Sequence, residues 1–544
     1  MSRDGGGTFA PDRRALLRAL GGGTLAGLAG CSEGTGGSEG TELVATFSAD
    51  VKNYDPPQAN DTTSSKAFGL VYETLLTVDF DGTPRPTLAT SVERLDELRW
   101  RLSIREGVTF HDGSELTAAD VKSTFERYQG TPRESLVYLW YDSATIRDDY
   151  TLDVTLNAQY APFRVALSNV PIVPEAAATG DLDLSKNPVG TGPYQFEAHE
   201  PDSLFRLRKY DDYWFEGSDA VPAEAPFDVL TFRIVVGQSE QLAALRGGDV
   251  DLINTPPASA AADLRDDEEF TLTSHVGGGF DLLIFPLATE PYTNRKVRRG
   301  ISRLVPREEI LSSVYHDIGQ PAYAPISPLL EEYSAESFQH LMRDEYSGYD
   351  PDRAKELLAA GFDELGLSTP HEARIIVNQN PQRVKFCQLV ASELNATEFF
   401  ETSVEQYEWN TYTGKVLAGS SNEVDAMMAL GWSGGWDPDD YVRNLFYSEQ
   451  ATPACCNVSH YANPEVDRLL DEGLRTYDVE ERKRIYREAQ ERIVADAPVV
   501  FIRFARRMEA YRNDRLSGFR TYPLDGEEFA GVYAPTAGVY TEPK

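Results

Sequence analysis

The sequence predicts an α/β protein with more than one core, and three observations carry that reading. Apolar runs of period 2, suited to strands, alternate along the chain with helix-period runs opened by capping residues, which argues against an all-α or all-β architecture. A length of 544 residues exceeds what one core organises, so two or three domains are expected. A composition 41% hydrophobic and 11% aromatic suits a packed protein rather than a disordered one.

The first element is an export signal. Arg3, Arg13, Arg14 and Arg18 outweigh Asp4 and Asp12. The apolar run from Ala19 to Gly30 is twelve residues long, well short of the roughly 20 that cross a bilayer, and a small-residue site follows it. Arg13-Arg14-Ala15-Leu16-Leu17-Arg18 resembles the twin-arginine signal of proteins that fold before export; the other reading is a general secretory signal with a chance arginine pair. Leu28-Ala29-Gly30-Cys31 resembles a lipobox, which implies cleavage before Cys31 and lipidation of its thiol, against ordinary cleavage that leaves Cys31 free. Ser32 to Gly40 is small and polar, a flexible tether with nothing to bury. The expected location is the outer face of the cytoplasmic membrane, with the protein anchored through Cys31.

The folded body opens on "LVATF", Leu43 to Phe47, a strand. In "SELTAADVKSTFERY" Thr117 caps a helix, Asp120 lies three residues on, and Val121, Phe125 and Tyr128 share a face. "FRLRKY" and "VLTFRIVV", between Phe205 and Val236, alternate as strands do. Asp350-Pro351 opens a helix with a cap and a first-turn proline, and Gly361 is read as its close. Asn463-Pro464 opens another with Val466, Leu469 and Leu470 inward, and Asp478 with Glu481 starts a third carrying Ile485, Tyr486, Ala489 and Ile493. "APVVFIRFARR", from Ala497, returns as a strand.

Charge and motifs narrow the function. A net charge of −36 argues against nucleic-acid binding, since an acidic surface repels phosphates. Lysine is scarce, 11 against 40 arginines, and the acids are spread along the chain, as on a protein adapted to high salt. There is no G-x-S-x-G elbow, no H-E-x-x-H helix and no phosphate-binding glycine loop ending in Gly-Lys-Ser/Thr. None of the seven histidines, His111, His199, His275, His316, His340, His371 and His460, sits at metal-ligand spacing, and no cofactor or metal is expected. Beyond Cys31 the cysteines are Cys387, Cys455 and Cys456; free thiols, a Cys455–Cys456 bridge or a bridge from Cys387 to either all stand open.

Several separate stretches together resemble the solute-binding proteins of ABC importers of the dipeptide, oligopeptide and nickel class, extracellular solute-binding protein family 5, here as a haloarchaeal-type lipoprotein. They are "NYDPPQA" with Asp55-Pro56; the segment Val71 to Tyr128 with Tyr72-Glu73, Gly82, Pro86, Trp100 and Phe110-His111-Asp112-Gly113; "VGTGPYQF" from Val189; "LAALRGGDVDLI" from Leu242; "YTNRKVRRGISRLVPREEI" from Tyr292; "YDPDRAKELLAAGF" from Tyr349; and "GWSGGWDPDDY" from Gly431. One departure is Phe285-Pro286, where the family carries Phe-Asn. In the residues' own terms "HDG" is a turn between strands, so His111 and Asp112 are read as structural, and Gly190 and Gly192 suit a tight crossover.

The resemblance implies a type II, two-lobed periplasmic-binding-protein-like fold with an added domain. Lobe I then takes residues 41–76, 189–283 and 498–544, the inserted subdomain 77–188 and lobe II 284–497, after a signal over 1–31 and a linker over 32–40. It also implies a monomeric receptor, not an enzyme, that closes by hinge motion on a small solute, probed first as a short peptide, and delivers it to membrane permease subunits served by cytoplasmic ATPase subunits. The implied ligand-binding set is Asn53, Tyr54, Gly279, Phe280, Gly431, Trp432, Ser433, Gly435, Trp436 and Asp437. In peptide-binding relatives an aspartate grips the ligand's amino terminus at the position that is Gly435 here. Asp437 is read as moving in to serve or as capping a helix from Pro438, and Trp432 and Trp436 as stacking on ligand or filling the interlobe core. The other functional readings are a binder of nickel complexes or other organic solutes, a secreted hydrolase or peptidase using Asp437, Asp439 and Asp440, and a lipid-anchored chaperone.

Overall fold

A computed structural model of the protein describes residues 41–417 and 425–544. The export signal, the lipobox with Cys31 and the tether lie outside these residues. One 11-stranded sheet forms the spine. On one side lie Tyr194–Glu200, Leu204–Lys209, Val229–Ile234, Glu42–Phe47 and Leu252–Asn254; on the other lie Met427–Ser433, His371–Asn378 and Phe400–Tyr407. Between them run two long antiparallel strands, Phe270–Ile284 and Val499–Arg512, which belong to both halves.

The halves have separate cores. Leu43, Ala45 and Phe47 face one core of lobe I, shared with the inserted domain, and Leu245, Ile253 and Ala510 face another. In lobe II, Phe280, Leu282 and Ile284 face one core while Leu283 faces the opposite one, as a period-2 strand buried on both faces requires. The two long strands fall out of register between Val276 and Phe280, where the chain reads Gly277-Gly278-Gly279. The core therefore changes lobes at this bulge, and residues 280–284 and 499–504 pack with lobe II.

The inserted domain carries a four-stranded antiparallel sheet ordered Ala89–Arg94, Arg99–Ile104, Thr151–Leu156, Tyr141–Asp148. Its helix Ala118–Arg127 has the expected capping box of Thr117 and Asp120. His111 is structural: Nε2 lies 2.9 Å from the Gly192 carbonyl and Nδ1 accepts from the Gly190 amide, while burial pushes the imidazole down to about 4. A side chain at Gly190 would strike the Val71 carbonyl, which ties the two glycine-bearing stretches into one crossover.

In lobe II, Asp350, Asn463 and Asp478 cap helices Pro351–Leu365, Pro464–Arg475 and Val479–Asp496. Gly361 does not close its helix. The helix runs on to Leu365 and Gly366, at φ 66°, ends it. Gly361 instead lets the helix approach Arg295–Arg303, for a Cβ there would stand 2.6 Å from Val297 Cγ2. Two buried arginines pin the lobe: Arg298 donates to the carbonyls of Tyr292, Asp496 and Ala497, and Arg307 to those of Ala322, Ser302, Ser347 and Phe501. Cys455 and Cys456 form a disulfide, and Cys387 is a free, buried thiol.

Candidate functional site

A cavity of about 360 Å³ opens in the lobe I face, walled by the helix Thr62–Phe68, the inserted domain and the C-terminal segment. Phe68, Tyr72, Tyr213 and Tyr533 give it aromatic walls, while Arg133 and Glu527 bring opposite charges to its lining. This mix of apolar walls and a few polar groups suits a small organic ligand.

The cavity's acids differ in their company. Glu73 accepts from Tyr213 Oη, Trp214 Nε1 and Thr191 Oγ1 at 2.8, 2.7 and 2.9 Å, and burial still outweighs these three donors, leaving it pushed up to about 7. Glu527 is pushed up to about 7 by burial with only the Tyr522 phenol lowering it. The Arg133 side chain makes no hydrogen bond or ion pair among the described residues. Asp525, at the cavity edge, takes the Ser433 hydroxyl of lobe II at 3.4 Å.

Across from that edge, the segment 431–440 carries most of the expected binding residues, with Gly279 beside it. Trp432 Nε1 donates to the Asp440 carbonyl at 3.1 Å, and Gly431 lies against the Arg383 guanidinium. Gly279 pairs with Ser433 on the neighbouring strand. Trp436 is buried where the lobes meet, donating to Tyr522 Oη at 2.9 Å and packing on Val78 and Phe80. Of the two readings of this tryptophan, its place is in the interlobe core.

Other expected residues are engaged inside the fold. Asp437 places both carboxylate oxygens on Arg482, at 2.7 and 2.8 Å, and its Oδ1 accepts from the Asp439 amide at 2.9 Å. Both of its oxygens are thus engaged inside the fold, on Arg482 and on the amide that opens the helix Asp439–Phe446. Phe280 lies in the lobe II core near Tyr441. Tyr54 packs against Phe196 and Phe205 in lobe I, its phenol on His199 Nδ1 and His199 Nε2 at 2.7 Å from Asp50. Asn53 Oδ1 accepts from the Asp55 amide at 2.9 Å and shapes a turn.

Asp440 lies beside the expected binding residues but outside the set the sequence implied. A Cβ at Gly435 would run into Asp440 Oδ2, so this carboxyl occupies the space a side chain at 435 would take. Desolvation by the surrounding protein, and then the charges of Asp437 and Asp439, push it up to about 8, although the residue keeps an exposed face. No cation pairs with it among the described residues. Tyr160, from the inserted domain, faces the same acids: burial and the charges of Asp437, Asp440 and Asp439 raise its phenol.

Comparison with known proteins agrees with this geometry. A family model described as bacterial extracellular solute-binding proteins, family 5 Middle, matches residues 83–453. The chain is 26% identical over 491 residues to the glutathione-binding protein GsiB of Pectobacterium atrosepticum, covering 89% of this chain and 92% of the relative. Among solved structures, the ABC transporter substrate-binding protein CtaP of Listeria monocytogenes superposes with a TM-score of 0.79 at 22% identity, covering 92% of this chain and 99% of that one. The dipeptide-binding protein of Pseudoalteromonas sp. SM9913, in complex with Met-Leu, superposes with a TM-score of 0.74 at 22% identity, covering 92% and 100%.

Proposed function

The chain belongs to the bacterial extracellular solute-binding proteins of family 5, a solute-binding receptor of an ABC importer, and on that premise we propose that it captures a small solute carrying a free ammonium group, with a short peptide the first candidate. The observation that carries this reading is Asp440. The resemblance puts the ligand-amine position of peptide-binding relatives at Gly435, and the Asp440 carboxyl fills the space a side chain there would take, without a cation of its own. A ligand ammonium supplies that cation, since an ammonium beside a carboxyl favours its ionised form. Ser433, Gly435 and Trp432 form the lobe II wall, and the unpaired Arg133 offers a partner for a ligand carboxylate.

Lobe closure then buries the solute, and the closed form is what a permease engages. Lipidation at Cys31 holds the receptor at the outer membrane face, at high effective concentration near its permease; a Cys31→Ser variant released into the medium supports this tether, and one retained on the membrane removes it.

Calorimetry with Met-Leu and with N-acetyl-Met-Leu in molar salt tests the ligand reading. The free dipeptide is expected to bind, and acetylation or Asp440→Asn to weaken it by roughly tenfold or more, the scale of a lost charge-assisted bond. Because the Asp440 carboxyl is pushed up to about 8, affinity is expected to rise with pH toward that value as the carboxyl ionises, and binding to release a proton. Equal affinity for the two dipeptides overturns the ammonium reading.

A further inference from the structure

The strand Val499–Arg512 carries an unusual buried acid. Glu509 has no exposed surface, and neither carboxylate oxygen has a hydrogen-bond partner. Directly opposite it in the sheet stands Asn254, also buried, with both side-chain polar atoms unpartnered. Buried polar groups are nearly always satisfied, so a pair left open in register calls for an explanation.

The groups facing Glu509 come from every element packed on it. Its own strand gives Arg507, with Nη2 4.0 Å from Glu509 Oε1 and an unpartnered Nε. The helix Thr62–Phe68 gives Lys66, the strand Phe270–Ile284 gives Thr273, and the C-terminal segment gives Thr521, Asp525 and Glu528. Arg507 is shared. It pairs with Glu528, which Lys66 also holds at 2.9 Å, and with Asp525. Asp525 in turn meets Ser433 across the lobe junction.

Counting charge, three acids, Glu509, Glu528 and Asp525, face two cations, Arg507 and Lys66. One negative charge is left over, and of the two fully buried acids Glu509 has the weaker cation contact, so it is the one that gives the charge up by taking a proton. Burial pushes Glu509 up to about 7.

We propose that Arg507 is a proton-gated clasp on the lobe junction: a neutral Glu509 leaves Arg507 to Asp525 and Glu528, whereas an ionised Glu509 draws the guanidinium inward and loosens the contact of Asp525 with Ser433. The inference goes beyond ligand capture and rests on lobe closure, not on which solute is bound. It makes the closed form more durable in mildly acidic surroundings and quicker to open in alkaline ones.

The test is hydrogen exchange on the full-length protein without ligand, from pH 6 to pH 8.5, corrected for intrinsic exchange rates. Amides 524–526 and 433–435 are expected to lose about threefold or more of their protection as pH rises, and Glu509→Gln is expected to hold the pH 6 value throughout. Asp525→Asn, at a half-exposed residue that leaves the core intact, is expected to show low protection at 433–435 at every pH. A wild type with flat protection, a Glu509→Gln variant that keeps the slope, or an Asp525→Asn variant that keeps it each overturns the clasp. So does a Glu509→Gln variant that folds only to a state lacking protection while Asp525→Asn retains the wild-type slope.

Discussion

Lobe II and lobe I treat buried charge in opposite ways. In lobe II, Arg298 and Arg307 are surrounded by carbonyl oxygens, and Asp437 and Arg482 meet face to face with two bonds. In lobe I, Glu509 and Asn254 are buried without hydrogen-bond partners, and Glu527 lines a cavity with no ion pair among the described residues. The same low dielectric makes a satisfied group rigid and an unsatisfied one responsive. Around these groups lobe II is a finished scaffold that presents the segment 431–440, where Asp440 is left for a ligand, and the lobe I end of the crossing strand leaves Glu509 for a proton to complete.

The strongest way to break that contrast is to unsatisfy lobe II. Arg482→Met strands the Asp437 carboxyl in the interior and is expected to cost about 3–5 kcal/mol, read by urea unfolding. A loss below 1 kcal/mol at neutral pH means the pair is not the scaffold element described. Replacing both residues with apolar ones of similar size is expected to restore most of the stability.

The next effect sharpens the lobe I side. Glu509 is raised to about 7 in the fold from about 4.3 unfolded, so the native state holds the proton more tightly. Its contribution to stability is complete below the unfolded value, falls as pH rises from there to about 7, and is then level. The wild type is expected to lose about 4 kcal/mol across that window relative to Glu509→Gln. Parallel stability curves for the two proteins contradict a buried, titrating Glu509.

The smallest effect checks that lobe I is unfinished only along its crossing strand. Thr117→Ala removes a completed capping box in the inserted domain and is expected to cost about 1 kcal/mol with no change in pH dependence, seen in thermal melts.

What the sequence disclosed follows from range. Caps at Thr117, Asp350, Asn463 and Asp478 were legible because a cap and its amide lie within three residues. Alternation exposed the strands, and resemblance supplied the two-lobed plan. Gly361 misled because a glycine that permits close helix packing looks, in one dimension, like a glycine that ends a helix. Asp437 misled because its partner Arg482 is 45 residues away. The closeness of Asp440 to Gly435 was invisible because only the turn from Gly435 into the helix Asp439–Phe446 folds its carboxyl back over the glycine. No local pattern sets Asn254 opposite Glu509; sheet register alone does that.

The strand Val499–Arg512 lies between Phe270–Ile284 and Leu252–Asn254 in the sheet, and it is made near the end of the chain. Until the ribosome has delivered it, the sheet stands in two pieces, one in each lobe, and the edges of Phe270–Ile284 and Leu252–Asn254 stay open to wrong pairings. Each half can pair its own strands early, but the lobes cannot be joined into one sheet before that strand arrives. Their joining is a single late event.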